Sequence, residues 1–315
     1  MTVLVTGASG FVGRALCAEL AQRSKPFRAA VQTDKKRVEG VDVVVTGPID
    51  ANTDWSAALV GVSVVLHLAA RVHVMRETAL DPLSEFRLVN TAGTLNLARQ
   101  AVRAGVKRLV FVSSIKVNGE YSLPGRPFLE SDAPAPQDAY ALSKHDAEIE
   151  LQKIALETGL EVTVIRPPLV YGPGVKANFQ SLMRAVQRGW PLPLGAIANS
   201  RSLIGLDNLI DFIVLCGNHP QAANQTFLVS DGHDLSTPEL IQNLADAMQV
   251  RTHLLRVPVW ALKTLGAALG KKTAVARLCG HLQADISHAR QVLNWVPPVS
   301  VNEGLRRAVA GMAGP

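Results

Sequence analysis

Thr6-Gly7-Ala8-Ser9-Gly10-Phe11-Val12-Gly13 stands directly behind the apolar run Thr2-Val3-Leu4-Val5. A short apolar run ahead of glycine reads as a buried strand. Val12, Leu16 and Leu20 then recur at helical spacing over 11–22. Strand, glycine turn and helix in that order make a cradle for a dinucleotide pyrophosphate. Gly7 permits the tight turn, Gly10 lets backbone approach the phosphates, and Gly13 lets helix pack on strand. The N–H groups that open the helix face the phosphates.

Outward from this turn the pattern repeats. Strand-like runs fall at 27–32, 41–45, 62–68, 108–114 and 161–166, and long helical patterns at 83–104, closed by Gly105, and at 138–158. Near-continuous apolar strands alternating with helices predict a parallel sheet covered on both faces. The fold class is therefore α/β, a doubly wound parallel sheet of the Rossmann type. Past Pro167 proline and glycine become frequent, and the helical stretches shorten to 179–189, 206–216 and 237–248. This predicts a dinucleotide-binding domain over 1–166 and a smaller α/β substrate lobe over 167–315, some segments of which return to the first domain.

The 315 residues can bury a large core. Aromatics at 5% are too few for a platform that stacks single-stranded nucleic acid. The formal charge is +6, yet the cations are scattered, Lys35, Lys36 and Arg37 being the densest run. No nucleic-acid partner is expected; the balance suits an anionic nucleotide or a solvated basic surface. Cys17, Cys216 and Cys279 share no metal-ligand spacing and read as buried small hydrophobes, so no metal is expected. Unpaired cysteines and the lack of a leader pattern predict a cytoplasmic protein. Residues 259–270 are the most apolar stretch, too short to span a bilayer. They read as a packed helix in preference to an interfacial one, and no stable membrane insertion is expected.

The second strand ends at Gln32-Thr33 with no acidic residue to accept from a ribose 2′-hydroxyl. Lys35, Lys36 and Arg37 follow, and could hold a 2′-phosphate or form a solvated turn. The sequence thus favours NADP(H) over NAD(H). Ser113-Ser114 closes a strand at the sheet edge where ligands bind in such folds. Tyr140 and Lys144 lie four apart, on one helix face. An ammonium there is expected to lower the phenol pKa from about 10, tuning Tyr140 as a general acid and base.

These motifs, in this order, resemble an extended short-chain dehydrogenase/reductase of the nucleotide-sugar epimerase, dehydratase and reductase group, over nearly the whole chain. Thr6 to Gly13 resembles its T-G-x-x-G-x-x-G, His67-Leu68-Ala69-Ala70 its H-x-A-A strand end, and Asn90 to Thr94 its N-x-x-G-T helix. Arg166 to Pro173 resembles its R-x-x-x-x-Y-G-P, Arg201 with Asp207-Asn208-Leu209 its R-x-x-x-x-V-x-D-L, and 285–295 its C-terminal segment. The resemblance implies Ser114, Tyr140 and Lys144 as the catalytic triad. It implies cofactor contacts from Gly7, Ser9, Gly10, Phe11, Val12, Gly13, Gln32, Arg37, Ile49, Asp50, Leu68, Ala69, Ala70, Asn90, Val112, Tyr140, Lys144, Pro167 and Leu169. Substrate contacts are implied for Arg71, His73, Ser114, Lys116, Asn118, Asn178 and Arg201, with Arg201 on a nucleotide diphosphate. Gly47-Pro48-Ile49-Asp50 departs from the family's G-D-[IVL], and Leu169 stands where many relatives carry Asn.

The stretches 70–77 and 114–119 are similar to bacterial reductases of UDP-2-acetamido-2,6-dideoxy-4-hexulose, which make UDP-N-acetylquinovosamine for O-antigen. The implied activity is NAD(P)H-dependent reduction of a C4 ketone on a UDP-sugar. A UDP-sugar 4-epimerase with bound NAD is the alternative, and a dinucleotide-sensing regulator a remote one. The resemblance also implies a homodimer built on the helices at 83–104 and 138–158.

Overall fold

The computed structural model describes residues 2–34, 41–72 and 81–312. β1 (Thr2–Thr6) enters the glycine turn, and α1 (Phe11–Gln22) follows. Gly13, Leu16, Cys17 and Leu20 form the buried face of α1, one residue per turn and its neighbour. Next come β2 (Phe27–Val31), β3 (Asp42–Val45), the single turn α2 (Ser56–Leu59) and β4 (Val62–His67). α3 (Pro82–Arg87) and α4 (Thr94–Arg103) precede β5 (Arg108–Val112), and α5 (Ala139–Thr158) precedes β6 (Glu161–Arg166).

Asp138 caps α5 by accepting from Ala141 N at 2.8 Å, and Gly159 ends it at φ +76°. The stretch expected as one α-helix over 83–104 opens between α3 and α4 into a π-helix, Leu88–Gly93. There Gly93 meets Ile49 so closely that a Cβ would stand 2.7 Å from Ile49 Cγ2. The wider turn also carries Asn90 inward, a common use of such segments.

β7 (Leu169–Tyr171), α6 (Ala177–Gln187), β8 (Pro191–Leu192), β9 (Leu203–Gly205), α7 (Leu206–Asn218), β10 (Thr226–Leu228) and α8 (Thr237–Met248) follow. β11 (His253–Leu254), α9 (Val259–Ala268), α10 (Lys272–Cys279), α11 (Ser287–Leu293) and α12 (Val301–Ala310) complete the chain. Seven parallel strands form one sheet in the order β10-β6-β5-β4-β1-β2-β3. The order reverses between β1 and β4, which places a crevice at their carboxyl ends. Helices cover both faces, so the doubly wound fold is the one expected. β10, from the second half of the chain, supplies the seventh strand beside β6.

Two apolar clusters sandwich the sheet. A third, built around Tyr171, Phe179, Met183, Leu244 and Leu305, lies under α6, α8 and α12. Cys17 and Cys216 are buried as expected, whereas Cys279 is only partly covered, because α10 lies at the surface.

Candidate functional site

The crevice is built from three sequence motifs that touch. Gly7 adopts φ +69°, and a Cβ on it would stand 2.7 Å from Ala69 N. The ends of β1 and β4 therefore close on each other only through glycine. At Gly13 a Cβ would stand 2.1 Å from Gly7 O, so α1 packs on its own turn only through glycine. No side chain caps the start of α1, and Gly10 is exposed. Its leading N–H groups are open to a pyrophosphate, and the residues present fit a dinucleotide.

His67 binds these motifs together. Its Nδ1 lies 2.7 Å from Thr6 Oγ1 and its Nε2 2.8 Å from Thr94 Oγ1. Full burial pushes its pKa down to about 3, with the charge of Lys144 acting the same way, so it stays neutral. Asn90 is equally committed. Its Oδ1 accepts from Arg71 N at 2.8 Å, and its amide donates to Arg71 O and Ser143 Oγ, both at 3.0 Å. Expected as a cofactor contact, Asn90 instead holds the backbone after β4 and the start of α5.

Ser114 and Tyr140 come together, and Lys144 lies one turn further along α5. Ser114 is hydrogen-bonded to the Tyr140 phenol, and both keep part of their surface open. Lys144 is fully buried, donates to Val112 O at 2.8 Å, and lies 4.4 Å from the Phe111 ring centre. Arg71 stacks over Phe86 at 5.4 Å, and Phe86 meets Tyr140 edge-on at 6.1 Å. The expected lowering of the phenol pKa is absent. Burial pushes Tyr140 up to about 12, with the Asp138 carboxylate in support, and the Ser114 hydrogen bond only partly offsets them. Lys144 is lowered to about 7 by burial, against the pull of Glu148. Near neutrality Lys144 therefore stands between its charged and neutral forms.

Behind this group lies a sealed polar cluster. Ser113 donates to Glu148 Oε1, and Arg166 grips the same carboxylate through Nη2 at 2.5 Å and Nε at 3.1 and 3.2 Å. Arg166 Nη1 donates to Asn118 Oδ1 at 3.0 Å, and Asn118 donates to Leu129 O at 2.9 Å. All four side chains are buried. Asn118, expected at the substrate, therefore faces inward. Glu148 was not singled out from the sequence. The signal was present: it is a carboxylate four residues after Lys144, on the stripe that α5 otherwise fills with Ala147, Leu151 and Ile154.

Lys116, also expected at the substrate, is held between Asp138 at 2.5 Å and Glu120 at 2.7 Å, and Glu120 lies 3.5 Å from Arg277. Arg201 donates through Nη1 to the carbonyls of Arg277 at 2.7 Å and Gly280 at 3.1 Å. Asp50 accepts from Asn52 N at 2.7 Å and so shapes its own turn instead of reaching out with that oxygen. Ile49 packs under Gly93. Ser9, Phe11, Val12, Leu68, Ala70 and Val112 are part-buried around the crevice, and Ala69 and Pro167 are buried. Gln32, Leu169 and Asn178 are exposed, Asn178 in the first turn of α6. Arg37 and His73 lie outside the described residues, as do Lys35 and Lys36.

Residues 3–230 match the NAD dependent epimerase/dehydratase family. The chain belongs to that family. A UDP-glucose 4-epimerase of Vibrio cholerae is 49% identical over 308 residues, covering 97% of this chain and 94% of that protein. A GDP-6-deoxy-D-mannose reductase of Pseudomonas aeruginosa is 28% identical, covering 96% and 94%. Among solved structures, the UDP-glucose 4-epimerase of Thermotoga maritima superimposes with a TM-score of 0.79 at 22% identity, covering 99% of this chain and 98% of that one. The protein is thus an enzyme of the extended short-chain dehydrogenase/reductase group, in the nucleotide-sugar epimerase and reductase branch.

Proposed function

We propose that this enzyme inverts C4 of a UDP-hexose, as a UDP-sugar 4-epimerase. The observation that carries this reading is the open Ser114–Tyr140 pair beside the crevice; the 49% identity to a UDP-glucose 4-epimerase over almost the whole chain supports it. A nicotinamide bound in the crevice would supply hydride exchange at C4. Gly7, Gly10, Gly13 and the N-terminus of α1 would hold its pyrophosphate, and Lys144 its ribose.

The residues of this chain handle the proton and the oxygen. Ser114 donates a hydrogen bond to O4, where negative charge develops. Tyr140 takes the proton from the C4 hydroxyl on oxidation and returns it on reduction from the other face. The raised pKa means that Tyr140 rests protonated, ready for the reductive half. The oxidative half requires positive charge beside the phenol, which a protonated Lys144 would supply. The UDP diphosphate lies at Arg201, and the lobe from residue 167 covers the sugar.

A second reading has one observation behind it. The basic run after Gln32, with no acid at the strand end, favours dissociable NADPH and a C4 ketoreductase acting on UDP-2-acetamido-2,6-dideoxy-4-hexulose. The experiment incubates the purified enzyme with UDP-glucose and with UDP-N-acetylglucosamine, without added cofactor, and follows the C4 epimer by NMR. Epimer formation supports the first reading. Absence of epimer, together with rapid oxidation of NADPH by the 4-ketosugar, replaces it with the second.

A homodimer joined through α3, α4 and α5 completes the proposal. Ile149 and Leu156 are exposed on α5, Leu156 by 88%, and Leu88 just past α3; light scattering measures the assembly.

A further inference from the structure

The net charge of this chain has one address. Between Asp246 and Asp285, residues 247–284 hold no Asp or Glu but six cations: Arg251, Arg256, Lys263, Lys271, Lys272 and Arg277. Taking these six from the 32 Lys and Arg leaves 26, equal to the 26 Asp and Glu of the whole chain. The remainder is neutral, and all of the +6 lies in this segment. The cations are too widely spaced to look dense in the sequence; what sets the segment apart is its lack of acids. Arg277 turns to Glu120. The other five are exposed and make no ion pair with any described residue.

The same segment carries the most apolar uncovered helix. α9 buries only Leu262 and Gly266. Trp260 is 71% exposed and Leu265 58%, with Leu269, just past the helix, at 63%. Lys263 lies within α9, and Lys271 and Lys272 follow it directly. α9 continues from the small β8–β11 sheet, whose neighbours Trp190 and Leu255 are also exposed.

We propose that α9 and the start of α10 dock this enzyme on an anionic lipid bilayer. The segment combines exposed apolar side chains, a tryptophan among them, with exposed cations. Such a helix lies in the interface plane, its apolar side among the acyl chains and its cations at the headgroups. Tryptophan favours that depth because its ring is apolar and its N–H is polar. A second copy of the same surface would place five unpaired cations against five others, so self-association does not cover it. With 10 residues the helix lies on the bilayer and does not cross it.

The test is flotation of the full-length enzyme with vesicles of phosphatidylcholine alone, or of phosphatidylcholine with an equal part of phosphatidylglycerol. The expected result is flotation with the anionic vesicles only, lost at an ionic strength of about 1 M, where screening acts within about 3 Å. Lys263→Glu/Lys271→Glu/Lys272→Glu is expected to weaken binding at least about tenfold. Trp260→Ser/Leu265→Ser should weaken it about as much, with an unchanged unfolding curve. As a readout that does not depend on a destabilised variant, lipids brominated on the acyl chain should quench emission in the wild type and lose most of that effect in Trp260→Phe. No flotation with anionic vesicles would leave an acidic protein as the occupant and overturn the proposal. Binding that ignores the Trp260/Leu265 change, or emission that acyl bromines do not quench, would reduce it to diffuse charge attraction and overturn it equally.

Discussion

Ser113 and Ser114 are neighbours in sequence and belong to two different regions. Ser114 faces the open side, where it meets Tyr140 and part of each side chain remains accessible. Ser113 faces the sealed side, where Glu148, Arg166 and Asn118 bond one another in the interior. Extended backbone points successive side chains to opposite faces, and this alternation divides the seam. The open side keeps polar capacity unused for a reacting oxygen. The sealed side leaves none of its carboxylate unbonded, because an unpaired buried charge is expensive. Changes on the open side should therefore alter turnover and spare stability, and changes on the sealed side should do the reverse first.

The largest expected effect is that of Tyr140→Phe. Removing the proton carrier should lower turnover by about 10²–10⁴-fold while the melting temperature stays put. A variant that melts early instead would mean that the phenol belongs to the sealed region. Next is Arg166→Met, which leaves Glu148 charged and buried. Denaturant unfolding should report a loss of about 3–5 kcal/mol. If Arg166→Met is as stable as the wild type and merely slow, the division between the two regions fails.

A smaller effect concerns acid. His67 is neutral in the folded chain because its pKa is about 3, against 6.5 in the unfolded chain. The unfolded state therefore binds the proton first as pH falls below 6.5, and stability falls with it. Between pH 7 and pH 5 this contribution comes to about 2 kcal/mol. Thermal melts of wild type and His67→Gln across this range should show a steeper acid loss in the wild type. Lys144 acts in the opposite pH region. Its folded pKa of about 7 lies below the model-peptide value, so its contribution makes the fold more stable as pH rises above 7.

The smallest effect is predicted for Lys116→Met. Its two carboxylate partners are part-exposed, so stability should fall by about 1 kcal/mol or less. Because Lys116 is held by Asp138 and Glu120, KM for the sugar nucleotide should hardly change. A large rise in KM with unchanged unfolding would return Lys116 to the substrate.

Periodicity and turn chemistry were legible in the chain. The run from β1 to α1, the span of α5 with its Asp138 cap and Gly159 stop, and α8 over 237–248 all follow from local spacing. The π-helix at Leu88–Gly93 was not legible, because it packs against Ile49, far away in sequence and brought up against Gly93. Nor were the true surroundings of Lys116 and Asn118. Each lies next to a motif that bears on catalysis, but which way a polar side chain turns depends on partners from other elements. Asn118 needs Arg166 on β6 and Leu129 in a loop, and Lys116 needs the cap of α5.

By itself the sequence determined the doubly wound sheet, the glycine crevice at its switch point and the placing of Tyr140 and Lys144 one turn apart on α5, since each rests on spacing within one or two elements. Tertiary structure alone decided which polar groups stay open and what charge they carry. It lifted Tyr140 where the four-residue spacing to Lys144 foretold lowering, and it sealed Asn90 and Asn118 inside. The reason is that protonation depends on desolvation and on every charge packed nearby, and those neighbours come from the whole fold.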